Sequence, residues 1–109
     1  KEDSILKILF EKLSTFFRKN TFIIFGSFAN KFQKESDIDL LIIGKQNVTK
    51  AIEDFEKIYN KKIHNVQVTS LEKLTSALVK EIYKKHLIFN NTEHIIRFFG
   101  GLHEQNKLV

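Results

Sequence analysis

Apolar and polar positions follow two different periods in the first half of the chain. Apolar residues recur every three or four positions over residues 4–19, and this spacing predicts an amphipathic helix. Two short apolar runs, residues 21–25 and 37–43, each end at a glycine. Their length and their β-branched residues are typical of buried strands. The first half of the chain therefore predicts a helix followed by two strands.

The second half of the chain alternates between helical and extended patterns. The predicted elements are a helix capped by Asn47 and running to Tyr59, a strand over residues 63–69, a helix capped by Ser70, a short extended piece over residues 87–89, and a helix over residues 92–99. We expect the last helix to end at Gly100 and Gly101, because glycine readily adopts the left-handed conformation that terminates helices.

This order of elements predicts the α/β (α+β) class. We expect a small mixed sheet of about three strands covered by helices, because each element must bury one apolar face. The connection between the first two strands has only about ten residues, which favours an antiparallel pair over a parallel crossover. The 109 residues suit a single domain, residues 1–109. The chain has no Met, even at position 1, which indicates a processed protein or a piece of a longer one.

Composition removes several classes of function. The chain has no Cys, so it has neither a disulfide framework nor a thiolate nucleophile, nor a Cys-based metal site. Its formal net charge is +5, but only Arg18 and Arg97 are arginines. This balance suits general attraction to polyanions more than sequence-specific reading of nucleic acid, and a solvated Lys/Glu surface is the alternative. No apolar run is long enough to span a membrane and no signal peptide is visible, so we expect the cytoplasm.

Two aspartates open the second predicted strand. Residues i and i+2 of a strand face the same way, so Asp37 and Asp39 project together while Ile38 and Leu40 face the core. Adjacent carboxylates repel each other unless a cation lies between them. Mg²⁺ prefers a few carboxylates together with water and phosphate oxygens. The pair therefore predicts half of a divalent-metal site for phosphoryl chemistry, and a solvated strand start is the alternative.

A Gly-Ser pair ends the first predicted strand. Gly26 lets a ligand approach the backbone closely, and a helical turn beginning at Ser27 would offer free N–H groups to an anion. The connection that follows contains Asn30, which tolerates a turn conformation, and Lys31, which is either a phosphate contact or simply solvated. A phosphate cradle and a metal pair are thus predicted at neighbouring strand ends.

These motifs resemble a known family, the minimal nucleotidyltransferase (MNT) domain of the DNA polymerase β superfamily. That family has an apolar strand, Gly-Ser, a gap of roughly nine to thirteen residues, and then Asp-x-Asp within a strand. The matching segments are Phe25-Gly26-Ser27-Phe28-Ala29 and Ser36-Asp37-Ile38-Asp39-Leu40-Leu41. The order and size of the elements agree over nearly the whole chain.

The resemblance implies a role for each of these positions. The residues that it implies in nucleotide binding are Gly26, Ser27, Asn30, Lys31 and Ser36. Asp37 and Asp39 would be catalytic and would hold two Mg²⁺ ions, with Mn²⁺ as an alternative. ATP would be the substrate, and AMP would pass to a hydroxyl of a protein or a small molecule with release of pyrophosphate. In the two-gene arrangement of such domains, the partner would be a HEPN-family toxin; a homodimer is the alternative.

One family position departs from the pattern. Family members usually carry a third carboxylate on the third strand, and in the matching stretch of this sequence Gln67 takes that place. A neutral amide is a poor metal ligand and cannot accept a proton from a hydroxyl. His64 lies three residues away, so by alternation it would face the opposite way from Gln67, as a histidine at a strand end.

Three hypotheses remain at this point. The first is an active nucleotidyltransferase, supported by the intact motifs. The second is a regulatory module that binds nucleotide and Mg²⁺ with little or no transfer, in the manner of MNT-like domains fused to winged-helix DNA-binding domains. The third is a nucleic-acid-associated domain that uses its basic surface, and no aromatic RNA-binding motif supports it.

Overall fold

A computed structural model describes residues 2–26, 37–84 and 86–105 of the chain. Within these ranges the strands are β1 (Thr21–Phe25), β2 (Ile38–Ile43), β3 (Ile63–Val68) and β4 (His86–Ile88). The α-helices are α1 (Glu2–Leu13), α2 (Thr49–Tyr59), α3 (Ser76–Lys84) and α4 (Thr92–Glu104). Short 3-10 helices cover Ser14–Phe16 and Leu71–Lys73.

The described strands form one mixed sheet in the order β3-β2-β1-β4. β1 runs antiparallel to both β2 and β4, whereas β2 and β3 are parallel and are connected through α2. The predicted α+β class and the antiparallel first pair are confirmed. The sequence predicts the fourth strand only as a short extended piece over residues 87–89, and the pairing of Ile88 with Ile23 makes it part of the sheet.

Helices cover the sheet on both faces. On one face, the α1/α2 face, the buried cluster comprises Leu6, Leu9, Leu13, Phe22, Ile24, Ile38, Leu40, Ile42, Val48, Ile52, Phe55 and Ile63. On the other, the α3/α4 face, it comprises Ile23, Phe25, Leu41, Ile43, Leu71, Val79, Ile82, Ile95 and Phe99. Because helices cover both faces of the sheet, β1 is buried along its whole length. This burial explains its nearly continuous run of apolar residues. Among the described residues, no helix has the length and apolar character needed to cross a membrane.

Three predicted helices differ from the observed ones. The helix predicted over residues 4–19 is α-helical only to Leu13, where a 3-10 helix follows. The helix predicted from Ser70 is interrupted at Leu74, whose backbone is extended, and α3 starts anew after Thr75, whose Oγ1 accepts the N–H of Leu78 at 3.2 Å. The prediction that the last helix ends at Gly100 was wrong, since α4 continues to Glu104. A helical glycine costs only about 1 kcal/mol relative to alanine, and Leu102 packs against the α3/α4 cluster beyond it.

Asn90, just after β4, is hydrogen-bonded to the start of β1 and to the turn before it. Its Oδ1 accepts the N–H of Phe22 at 3.0 Å, and its Nδ2 donates to the carbonyls of Phe17 at 3.0 Å and Asn20 at 2.7 Å. A part-buried backbone group that loses its partner is costly. The side chain therefore satisfies three backbone groups in the turn before β1 and at its start.

Replacing Asn90 with alanine is expected to lower the free energy of unfolding by about 2 kcal/mol, because three part-buried backbone groups lose their partner at once. Urea denaturation followed by circular dichroism would measure the change. Asn65→Ala on the exposed side of β3 is the matched control, with an expected change within about 0.5 kcal/mol. Equal stability of the two variants would contradict the assigned role of Asn90.

Candidate active site

The two aspartates lie at the start of β2 and face the α3/α4 side of the sheet. Ile38 and Leu40, on either side of Asp39, are fully buried in the α1/α2 cluster. Alternation along the strand therefore turns Asp39, which is half-buried, toward the other face. Asp37 precedes the strand and is exposed. The predicted alternation of aspartate and core residues is confirmed for Ile38, Asp39 and Leu40.

Gly26 lies directly against the Asp39 carboxylate. It follows β1 with φ +77°, a conformation that favours glycine, and its neighbour Phe25 pairs with Asp39 in the β1–β2 register. A Cβ atom at Gly26 would overlap Asp39 Oδ2. The glycine thus lets the backbone at the end of β1 approach the carboxylate. The other predicted nucleotide-binding residues, Ser27, Asn30, Lys31 and Ser36, lie outside the described residues.

His64 on β3 joins the aspartates, which the sequence did not predict. It is the register partner of Asp39 in the parallel β2–β3 pair, so the two side chains share a face. Its Nε2 lies 2.7 Å from Asp37 Oδ2. The side chains of His64 and Asp37 are 51% and 48% exposed, so this pair is open to solvent. The start of β2 and the start of β3 therefore bring three polar side chains together.

Gln67, which the family resemblance puts at the third carboxylate position, does not lie beside the aspartates. It pairs with Ile42, near the opposite end of β2, and faces the α1/α2 side as Ile42 does. Its Nε2 donates to the carbonyls of Gly44 at 3.0 Å and Gln46 at 2.9 Å. His64 and Gln67 face opposite sides of the sheet, as their spacing along β3 predicts. However, His64 rather than Gln67 is the β3 residue beside the aspartates.

The pKa of Asp39 is raised above its ordinary value of 3.8, chiefly because partial burial disfavours the carboxylate. The nearby His64 opposes this effect, whereas Glu81 and Asp37 add to it. A raised pKa means that the folded state holds the Asp39 proton more tightly than the unfolded state does. Asp39 therefore stabilises the fold when protonated at low pH, and this contribution is lost as the pH rises through its folded-state pKa.

Asp39→Asn is accordingly expected to stabilise the metal-free protein at pH 7. The gain should stay below about 1 kcal/mol, because the half-buried group is partly screened by solvent. At about pH 3 the wild-type aspartate is protonated in both states, so the two proteins should then unfold alike. Denaturation in EDTA at the two pH values would measure this difference. An asparagine variant that is less stable than wild type at pH 7 would contradict the argument.

The carboxylates of Asp37 and Asp39 suit a cation whose remaining ligands are water and substrate oxygens. Among residues 2–26, 37–84 and 86–105, no three His, Asp or Glu side chains are arranged to hold a metal ion. Mg²⁺, however, commonly takes one or two carboxylates and completes its shell with water and substrate phosphate oxygens. Asp37 and Asp39 share a face, and Gly26 leaves the space beside Asp39 free of a side chain. The residues present are therefore compatible with a metal held between protein and phosphate.

Comparisons with known proteins identify the family and the fold of the chain. The family model described as "Polymerase beta, Nucleotidyltransferase" matches residues 11–94. No curated protein matches the chain. A chain from the tri-AMPylated Shewanella oneidensis HEPN toxin in complex with MNT antitoxin is similar, with a TM-score of 0.63 and 13% identity over 91% of this chain and 80% of that chain.

Two further solved structures have a similar fold. A chain from a toxin-antitoxin structure with AMP-PNP has a TM-score of 0.55 and 16% identity, over 97% of this chain and 93% of that chain. A chain from the toxin-antitoxin MntA-HepT has a TM-score of 0.55 and 14% identity, with the same coverage of both chains. At these identities the structural similarity establishes the fold alone.

Proposed function

Because the chain belongs to the polymerase β nucleotidyltransferase family, we propose that it transfers AMP from ATP to a hydroxyl group of a protein or a small molecule. The observation that supports this proposal is the grouping of Asp39 and Asp37 beside His64, with the Gly26 backbone against Asp39. A fold that only bound a protein partner would not need a conformationally demanding glycine beside a half-buried carboxylate.

The residues of this chain would divide the work as follows. Asp37 and Asp39 would hold two Mg²⁺ ions, or Mn²⁺, which when bound neutralise the phosphate charge and polarise the acceptor hydroxyl. Gly26 would let the triphosphate approach Asp39 closely, because a glycine places no side chain of its own beside this carboxylate. Ser27, Asn30, Lys31 and Ser36 remain predicted phosphate contacts in the connection between β1 and β2. Catalysis would rest on positioning and on charge stabilisation.

We further propose a HEPN-type toxin as the acceptor, which would make this chain the antitoxin of a pair. Two solved structures with a similar fold support this assignment. One chain comes from a complex of a tri-AMPylated HEPN toxin with its MNT antitoxin, and the other comes from a toxin-antitoxin structure with AMP-PNP. A hydroxyl-bearing side chain of the toxin would receive the AMP.

The proposal is tested by incubating the protein with ATP labelled at the α-phosphate, Mg²⁺ or Mn²⁺, and a purified HEPN-type protein. We expect label to appear on the acceptor and to disappear with EDTA. A parallel reaction with ATP labelled at the γ-phosphate should release label as pyrophosphate and leave the acceptor unlabelled. Transfer of the γ-label to the acceptor would overturn the proposal in favour of a kinase.

A second candidate function is a nucleotide- and Mg²⁺-binding regulatory domain without efficient transfer. It is favoured by the lack of a third carboxylate on β3. Metal-dependent ATP binding without label on any acceptor would favour this function over transfer.

A further inference from the structure

His64 is in hydrogen-bond contact with the Asp37 carboxylate. Asp37 Oδ2 lies 2.7 Å from His64 Nε2, within the range of a charge-assisted hydrogen bond. A carboxylate that binds a cation is ionised and can only accept, so the proposed role requires the tautomer of His64 in which Nε2 carries the hydrogen. The contact uses one oxygen of Asp37 and leaves Oδ1 for another ligand.

The register of the β2–β3 pair places the His64 side chain beside the two aspartates. His64 is paired with Asp39 in the parallel β2–β3 ladder, and Asp37 lies two residues before Asp39. Asp37 itself precedes β2 and is 48% exposed, so packing alone does not hold its carboxylate. Within the part of the chain that the structure describes, the bond from His64 is the contact that orients this carboxylate.

We propose that His64 is a positioning residue that holds Asp37 through Oδ2 so that Oδ1 remains directed to a divalent cation. The inference rests on the proposed function, because it concerns the cation that Asp37 and Asp39 would bind. Carboxylates that bind metals are themselves commonly hydrogen-bonded, and loss of such a partner typically weakens metal affinity by about 10- to 100-fold. His64 thus contributes to the site from β3 without being a ligand, consistent with the lack of a three-donor cluster among the described side chains.

The test is the binding of Mn²⁺ and of Mg²⁺ to the full chain, alone and together with a non-hydrolysable ATP analogue, measured by calorimetry and, for Mn²⁺, by electron paramagnetic resonance. We expect His64→Ala to weaken both metals by a similar factor of about 10 or more. His64→Gln should remain within about 3-fold of wild type, because its amide N–H can donate to the same oxygen. His103→Ala, an exposed histidine on α4, is the control and should change neither affinity.

Three results would overturn the positioning role: unchanged affinity in His64→Ala, no recovery in His64→Gln, or a loss of Mn²⁺ affinity much larger than the loss of Mg²⁺ affinity. The last result would make His64 a direct ligand, since imidazole favours Mn²⁺ over Mg²⁺. The variant Asp37→Asn/Asp39→Asn separates this inference from the proposed function. If it binds metal like wild type, the proposed function fails. If it loses binding while His64→Ala does not, only the positioning role fails.

Discussion

The variant Asp37→Asn/Asp39→Asn is expected to reduce transfer of labelled AMP by about 10³-fold or more, because amides cannot replace the charge that binds the cations. The loss should not reflect unfolding. Asp39 is half-buried with a raised pKa, so its replacement by a neutral side chain should maintain or increase stability at pH 7. Transfer rates and thermal unfolding of the same preparations would measure both effects.

The matched control for this variant is Glu53→Gln/Glu104→Gln, which removes two exposed acids from α2 and α4 and leaves the overall charge change equal. We expect it to transfer label at the wild-type rate. An equal loss in both double variants would indicate a general effect of charge, and unchanged transfer in Asp37→Asn/Asp39→Asn would place the reaction elsewhere.

Gly26→Ala is expected to remove most of the transfer activity and to destabilise the fold by about 2 kcal/mol. Two costs contribute: an alanine at φ +77° is strained by about 1–2 kcal/mol, and its Cβ would overlap the Asp39 carboxylate. Asp39 must therefore move away from its position beside Asp37. Chemical denaturation and the label-transfer assay would measure the two effects.

A double-mutant cycle separates the two costs of Gly26→Ala. In an Asp39→Ala background the colliding carboxylate is gone and the nearest remaining atom, Cβ, is at an ordinary distance of 3.7 Å. Gly26→Ala should then cost only the backbone strain. Equal costs in both backgrounds would show that the carboxylate is not in contact with Gly26. Gly100→Ala is the control, since the space around this helical glycine is open and alanine should be neutral or stabilising.

Local patterns were sufficient to predict the part of the site that lies within one strand. Alternation alone placed Ile38 and Leu40 in the core and turned Asp39 the other way. It could not place residues of another strand, because the register between strands depends on packing that no single segment contains. Gln67 was therefore assigned to the site by sequence similarity, although the register puts His64 beside Asp39. The sequence feature that could have indicated this placement is the histidine near the start of β3.

The differences between the predicted and the observed β4 and α4 have the same physical origin. The piece around Leu87 has too few residues to signal a strand, and it is one because β1 offers a free edge. The local preference of Gly100 predicts a helix end, yet α4 passes through it because Leu102 packs against the α3/α4 cluster. In both places tertiary packing outweighed a weak local preference.

The two halves of the sheet differ in how far apart their pairing partners lie in the chain. Ile38 pairs with Ile63, 25 residues later, whereas Ile23 pairs with Ile88, 65 residues later. Closing the longer loop costs about 0.8 kcal/mol more in chain entropy, and β4 offers only three residues to offset it. We therefore expect β4 to join last during folding and to detach first in native-state fluctuations. Asp37, Asp39 and His64 lie at the start of the β2–β3 pair, which we expect to form earlier.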